Sequence, residues 1–312
     1  MAPTPDQDRS TARDPGEPIF VVFNPMSGKG LGGRLVSQVL AALAGSDLDH
    51  ALTEQAGDEE RLTKKALARG FRKIVAVGGD GTWSNVGNAI VKSGVDASLG
   101  LVAGGTGCDL AKSLDVPARD IPAVARVVRN GGSRRIDAGR IEGRYFFNIV
   151  GFGFDIAVIE DSWKVRWLGG DLLYLYCALR QLYSYQGFPV EMAVDGAPPV
   201  RRDLMMLVIA NARIFGGGFR IAPAADLADG RLDGVAVGNL SFAQRLPLML
   251  RVIRGTHAGS PGVSMATGRE FRLRFEAPPA YETDGEWNRA KAAEVLVETV
   301  PSALRVLVPA AP

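Results

Sequence analysis

The apolar run Lys73-Ile74-Val75-Ala76 enters the loop Val77-Gly78-Gly79-Asp80-Gly81-Thr82, and Trp83 to Lys92 behind it has helical character. A buried strand thus runs into a glycine loop that opens a helix. The first turn of a helix has N–H groups without intrahelical acceptors and the positive end of the dipole, and glycines let an anion approach the main chain. Phosphate is the ligand this geometry suits. Asp80 sharpens the reading, because a bare carboxylate repels phosphate unless a divalent cation or ordered water stands between them. The loop reads as a nucleotide-phosphate site working with magnesium; the alternative is a tight strand-to-helix turn.

Two more junctions of this type occur nearby. Ile19-Phe20-Val21-Val22-Phe23 leads into Asn24-Pro25-Met26-Ser27-Gly28-Lys29-Gly30, which lacks the GxxxxGK[ST] spacing of a Walker loop. Leu99–Ala103 leads into Gly104-Gly105-Thr106-Gly107-Cys108-Asp109. A second strand ends near Leu52-Thr53, and Asp58-Glu59-Glu60 places acids in the first turn of a helix to about Arg69. In an open α/β sheet, ligands bind outside the carboxyl ends of the strands, so the three loops are expected to converge on one crevice.

Beyond about Asp137 the texture changes. Alternating segments such as Val190–Val194, Leu204–Ala210, Val235–Val237, Phe271–Phe275 and Val295–Val297 are separated by Asp-Gly turns. This half reads as mostly antiparallel β, with helical inserts at 155–185, interrupted at Gly169-Gly170, and at 241–253 with Ser241 as N-cap. The insert carrying Trp163, Trp167, Leu168, Leu172, Tyr174, Leu175, Leu179, Leu182 and Tyr183, interspersed with Lys164, Arg166 and Arg180, reads as core, lipid tunnel or membrane-resting surface. The expected domains are a disordered tail at 1–17, an α/β nucleotide-binding domain at 18–139, and a β-rich, sandwich-like domain at 140–302. A last strand at 303–312 joins either domain.

With Lys+Arg 36 against Asp+Glu 34 and no massed basic patch, nothing supports nucleic-acid binding. Two cysteines outside any CxxC pair and two distant histidines, His50 and His257, argue against a disulfide framework or a histidine zinc site. No apolar segment reaches the ~18 residues of a membrane span. A cytoplasmic protein is expected, free or peripheral to the inner face of the membrane, with monomer and homodimer both open.

The ordered series Asn-Pro-Met-Ser-Gly (24–28), Gly-Gly-Asp-Gly-Thr (78–82), Gly-Gly-Thr-Gly-Cys-Asp-Leu-Ala (104–111), Asp-Ala-Gly (137–139), Asn148 with 151–155, 216–218, Asp229-Gly-Arg-Leu-Asp233 and Asp284-Gly-Glu286 resembles the bacterial diacylglycerol kinases and sphingosine kinase-like lipid kinases. The resemblance runs from about residue 18 to the C-terminus. It implies ATP as donor, Mg²⁺, and a lipid hydroxyl as acceptor, most simply that of diacylglycerol. It assigns nucleotide contacts to Asn24, Pro25, Ser27, Gly28, Thr53, Gly78, Gly79, Asp80, Gly81, Thr82 and Thr106. It assigns a magnesium site to Asp229, with Asp226 and Arg231 contributing carbonyls, and the general base to Glu286 with Asp284 beside it.

On their own chemistry, phosphoryl transfer needs positioning and charge stabilisation plus one group to take the hydroxyl proton. A carboxylate on a tight Asp-Gly-Glu turn suits that step, and an ordinary hairpin tip is the alternative. The family has Asn where this chain has Cys108, and an Asn-Glu pair where it has Ser84-Asn85. These departures keep two other readings in play: an NAD kinase, which shares the GGDGT loop, and a non-catalytic lipid or nucleotide sensor.

Overall fold

The computed structural model describes residues 17–310 except 166 and 169, and leaves the side chains of 170–172, 174 and 175 aside. The expected tail, apart from Glu17, lies outside the described residues, as do Arg166, Gly169 and the side chains of Leu172, Tyr174 and Leu175. The chain divides into two compact units: residues 1–136 with 303–312, and residues 137–302.

In the first unit, β1 (Ile19–Phe23), β2 (Leu48–Leu52), β3 (Lys73–Gly78) and β4 (Ser98–Ala103) form a parallel sheet in the order β2-β1-β3-β4. Arg305 and Val306 from the far end of the chain add a parallel pairing to Ser98 and Leu99. Helices alternate with these strands: α1 (Ser27–Ala42), α2 (Asp58–Ala68), α3 (Asp80–Ser93), α4 (Asp109–Ser113) and α5 (Ile121–Asn130). The continuous apolar runs are explained by burial on both sheet faces. Ile19, Val21 and Phe23 join Leu35 and Val39 of α1 and Val124 and Val128 of α5 in one core. Phe20 and Val22, equally buried, point the opposite way because side chains alternate along a strand. Since β1 lies between β2 and β3, the crossovers leave it in opposite directions, and the switch point of the sheet falls between the ends of β1 and β3.

The second unit is antiparallel. Its strands are β5 (Gly132–Ile141), β6 (Arg144–Phe146), β7 (Ile149–Gly153), β8 (Phe188–Val194), β9 (Val200–Ala210), β10 (Leu232–Gly238), β11 (Val263–Gly268), β12 (Glu270–Arg274), β13 (Ala280–Thr283), β14 (Glu286–Arg289) and β15 (Glu294–Val308). β5 and β15 begin in one unit and end in the other. Central β9 pairs along one edge with β10 and along the other with β7 and β8. Its side chains alternate between two cores. Leu204, Leu207 and Ile209 pack with Phe271, Leu273 and Val297, while Met205, Val208 and Ala210 pack beneath the helices. The sandwich-like reading of this half holds.

The helical inserts are α6 (Phe154–Ser162) and α7 (Gly170–Ser184), then α8 (Phe242–Arg254). Ser241 is the N-cap of α8 and forms a capping box with Gln244, which satisfies donors at the helix start. Among the described residues no helix is long and apolar enough to cross a membrane.

Candidate active site

The three glycine loops of the first unit meet backbone to backbone at the switch point. Asn24 N–H donates to the Val77 carbonyl and Gly104 N–H to the Gly78 carbonyl, so the loops after β1 and β4 are both tied to β3. The approach is too close for side chains. A Cβ on Gly105 would stand 2.7 Å from the Cα of Gly79, and one on Gly104 3.2 Å from the Cα of Gly78. A Cβ on Gly28 would overlap the Gly104 carbonyl, and Gly28 also has φ +56. These glycines are required by contact between loops as well as by turn geometry.

Asp80, at the start of α3, accepts N–H bonds from Cys108 (2.6 Å) and Asp109 (2.8 Å). Through these two bonds it fastens the third loop to the second. Burial, and then the charge of Asp109, raises its pKa above the ordinary carboxylate value. Asn24 is a second fastener, donating to Glu59 Oε1 and Thr82 Oγ1, both at 3.0 Å, while its own oxygen accepts from Met26 N–H. Ser27 Oγ donates to the Asn24 carbonyl. Thr53 is buried at the end of β2, where its N–H donates to the Phe23 carbonyl. Thr106 is exposed and Pro25 half-buried at the loop edge.

Sequence reasoning read Glu59 only as an acid complementing a helix dipole, yet it is buried and joins Asn24 to α2. Arg119 went unremarked as well. It bridges the Gly105 and Thr106 carbonyls at 3.2 and 2.8 Å, and no local pattern marks it.

Cys108 has φ +60, a left-handed conformation that Asn tolerates better than most side chains. Its thiol is pushed up to about 11, by burial first and then by Asp80, so it stays protonated at neutral pH. Ser84 and Asn85 are buried within α3.

In the second unit, Asp284 and Gly285 form a two-residue hairpin tip between β13 and β14, with φ of 50° and 86°. Both positive values are what a type I′ turn requires. The Asp284 carboxylate is buried and accepts from the N–H groups of Phe147, Asn148 and Ile149 at 2.8–3.2 Å. It anchors the hairpin to the start of β7. Glu286, one residue past the tip, is 38% exposed and takes an ion pair from Arg144 at 2.6 Å. Arg144 also donates to Thr283 Oγ1, as does Asn288, which fixes the orientation of that ion pair. Of the two sequence candidates for a base, Glu286 is the one with solvent access.

Under this hairpin lies a buried carboxylate pair, Asp155 and Glu282. Burial raises both, and the charge of Asp155 raises Glu282 further, so the pair holds a proton that two isolated carboxylates would have released. A Cβ on Gly151 would overlap Asp155 Oδ2, which accounts for that glycine. An aromatic groove of about 380 Å³ opens nearby in the same unit, lined by Phe152, Ile156, Tyr185, Phe188, Phe275 and Pro279, with Glu160, Glu276 and Arg289 among its polar residues.

The turn at 226–231 is acidic. Asp229 accepts from Arg231 N–H at 2.9 Å and Asp226 from Ala228 N–H at 3.1 Å. Asp137 accepts from Gly230 and Ser302 N–H; burial raises it first, and Asp229 and Asp226 add to the shift. Among the described residues no group of three or more His, Cys, Asp or Glu side chains is arranged to hold a metal. The fit to a divalent cation therefore rests on Asp229 with main-chain carbonyls, an oxygen-only donor set that suits a hard, largely hydrated ion. Arg231 can contribute only its carbonyl.

Family comparison gives this geometry a context. Residues 18–141 match the diacylglycerol kinase catalytic domain, and residues 148–308 match the YegS C-terminal NAD kinase beta sandwich-like domain. A diacylglycerol kinase of Mycobacterium tuberculosis is 30% identical over 298 residues, covering 93% of this chain and 95% of the relative. The chain belongs to the diacylglycerol kinase and YegS-like lipid kinase family. A YegS-like lipid kinase of Pseudomonas putida is 32% identical, covering 84% of this chain and 86% of that one. A solved diacylglycerol kinase from Bacillus anthracis superimposes with a TM-score of 0.70 at 19% identity, covering 95% of this chain and 98% of that one. An NAD kinase from Archaeoglobus fulgidus, solved with ATP, shares the fold at a TM-score of 0.54 and 13% identity, covering 93% and 94%. The chain is thus an enzyme of the lipid kinase class.

Proposed function

We propose that this lipid kinase transfers the γ-phosphoryl group of ATP, with Mg²⁺, to the hydroxyl of diacylglycerol or a closely related lipid. The observation that carries the reading is the backbone contact of three glycine loops at the switch point of the parallel sheet. Helix starts and glycine main chain converge there, which suits a polyphosphate better than any other common ligand. The names of the relatives support a lipid acceptor, and the relative solved with ATP supports the donor.

In this mechanism Asn24, Ser27, Gly28, Gly78–Thr82 and Thr106 bind and orient the donor phosphates, with Thr53 at the edge. Asp80, Asn24 and Glu59 keep the loops in register. Glu286 takes the proton from the lipid hydroxyl, and Arg144 holds its carboxylate in position. Asp284 keeps the hairpin tip fixed so that Glu286 has one orientation. The aromatic groove lined by Phe152, Phe188 and Phe275 takes acyl chain. Asp229, with the carbonyls of residues 226 and 231, would hold a structural Mg²⁺, and magnesium bound with the nucleotide would supply charge neutralisation.

The test is transfer of radioactive phosphate from ATP to detergent-dispersed diacylglycerol. Glu286→Gln lowers turnover by about 10²–10⁴-fold, the usual worth of a general base, while nucleotide affinity by calorimetry is unchanged. Retained turnover sinks the assignment of Glu286, and no lipid product with any nucleoside triphosphate and metal sinks the whole reading. An NAD kinase activity is favoured by the shared GGDGT loop and by the fold shared at a TM-score of 0.54, and incubation with NAD and ATP separates the two.

A further inference from the structure

Helix α8 buries one face and leaves another bare. Leu248 and Val252 enter the core beneath β9, whereas Phe242, Leu246, Leu250 and Ile253, spaced four, four and three residues apart, are each 43–48% exposed. That spacing places all four on one stripe of the helix. The stripe does not end with α8. Tyr183 of α7 is 74% exposed and its ring meets that of Phe242 at 5.5 Å, and Leu179, one turn earlier on α7, is 48% exposed.

The two helices are held in this arrangement by Arg245. It is buried, and its guanidinium donates to the Leu182 and Tyr185 carbonyls at the end of α7 and to Leu240 O and Asn239 Oδ1 before α8. A cation at a helix C-terminus satisfies orphan carbonyls and complements the dipole. The apolar face is therefore built on a fixed pair of helices.

The charge around α8 is one-sided, while α7 carries Asp171 near its start and Arg180 near its end. From Asn239 to Arg269 the sequence has Arg245, Arg251, Arg254 and Arg269 and no Asp or Glu, and from Leu204 to Ala225 it has Arg213 and Arg220 and no acid. Arg220, Arg251 and Arg254 are exposed, and Arg220 lies against Gly255 at the end of α8. The exposed aliphatic and aromatic side chains of α8, flanked by arginines with no acid between Asn239 and Arg269, match the interface of an anionic bilayer, where long cationic side chains reach the phosphates while the apolar row enters the acyl boundary. A second copy of the chain would bring the same arginines against these.

We propose that the α7–α8 face docks the protein on an anionic lipid surface, with α8 lying in the plane of the membrane and Phe242, Leu246, Leu250 and Ile253 entering it. At 13 residues and ~1.5 Å per residue, α8 presents about 20 Å of apolar edge. The docking is read without turnover, so a failed transfer assay leaves it standing and failed docking leaves the transfer assay standing.

Co-sedimentation with vesicles of phosphatidylglycerol and phosphatidylcholine, and with phosphatidylcholine alone, tests it. The full chain sediments with the anionic vesicles, less so at high salt, and poorly with the uncharged ones. The double variant Leu246→Glu with Leu250→Glu loses at least about tenfold in vesicle affinity while its near-ultraviolet circular dichroism is unchanged. Should that variant not fold, Leu250→Cys carrying an environment-sensitive dye gives a blue shift on anionic vesicles; Cys108 and Cys177 are buried and do not compete for the label. Equal binding to both vesicle types, equal binding by wild type and folded variant, an unshifted dye, or a dimer that the variant breaks while neither sediments, overturns the proposal.

Discussion

The glycine loops of the first unit and the Asp-Gly-Glu hairpin of the second are both tight turns, yet they are held in different ways. The loops of the first unit follow three strands of one parallel sheet; Asp80 and Asn24 fasten them, and between the fasteners they touch main chain against main chain, as at Gly105 and Gly79. The hairpin of the second unit owes its position to side chains. Asp284 reaches backbone N–H groups of residues 147–149 across 135–137 positions of sequence, and Arg144 reaches Glu286 across 142. A site made of backbone tolerates almost no added atom, whereas a site made of carboxylates tolerates isosteric change but not loss of charge.

Four substitutions test that contrast. Gly105→Ala places a Cβ 2.7 Å from the Gly79 Cα with no flexible side chain to yield. Nucleotide affinity by calorimetry falls by at least about tenfold, and stability by roughly 2–3 kcal/mol. Unchanged affinity would break the claim that loop contact shapes the donor site.

Asp284→Asn keeps shape and removes charge. One of its new amide hydrogens faces main-chain N–H groups, so urea unfolding shows a loss of about 2–3 kcal/mol, with nucleotide affinity intact. If Asp284 were itself the base, transfer would vanish while stability stayed the same.

Glu282→Gln acts through pH. Burial and Asp155 hold the Glu282 carboxyl well above its ordinary 4.5, so the folded state keeps a proton that the unfolded chain gives up. Its contribution is fully present below about pH 4.5 and is lost as pH rises toward the folded value. The wild-type melting temperature therefore declines across that window, and the variant's declines less. Parallel pH profiles would remove the proton-sharing pair from the comparison.

Cys108→Asn has the smallest effect. Asn accepts φ +60 more readily, so thermal unfolding shows a gain of about 0.5–1 kcal/mol, with turnover unchanged or raised. A loss would mean that the buried thiol's packing outweighs the backbone preference.

The legible parts of this protein were those whose information is local. The junctions at Gly28, Gly78–Thr82 and Gly104–Asp109 each occupy a few consecutive residues after an apolar strand, and the capping residue Ser241 precedes its own helix by one position. Asp-Gly at 284–285 announced a hairpin in the same way. The short strand β11 was not legible, because its pairing with β10, on the far side of α8 in the sequence, sustains it more than its own alternation does. Glu59 and Arg119 were invisible for a related reason: one resembles any acid at a helix start and the other any loop cation, until folding brings the Asn24 amide to the first and two carbonyls to the second.

By itself the sequence determined that a parallel α/β unit with three phosphate-type turns precedes an antiparallel β unit, since strand periodicity, glycine placement and turn chemistry act over a few residues. Only the tertiary structure decided what each polar group does. It spent Asp80 on two loop amides and Asp284 on three, left Glu286 open beside Arg144, and set the apolar stripe of α8 outward. A carboxylate's role depends on which donors fold against it and on how much water remains, and neither is written in its neighbours along the chain.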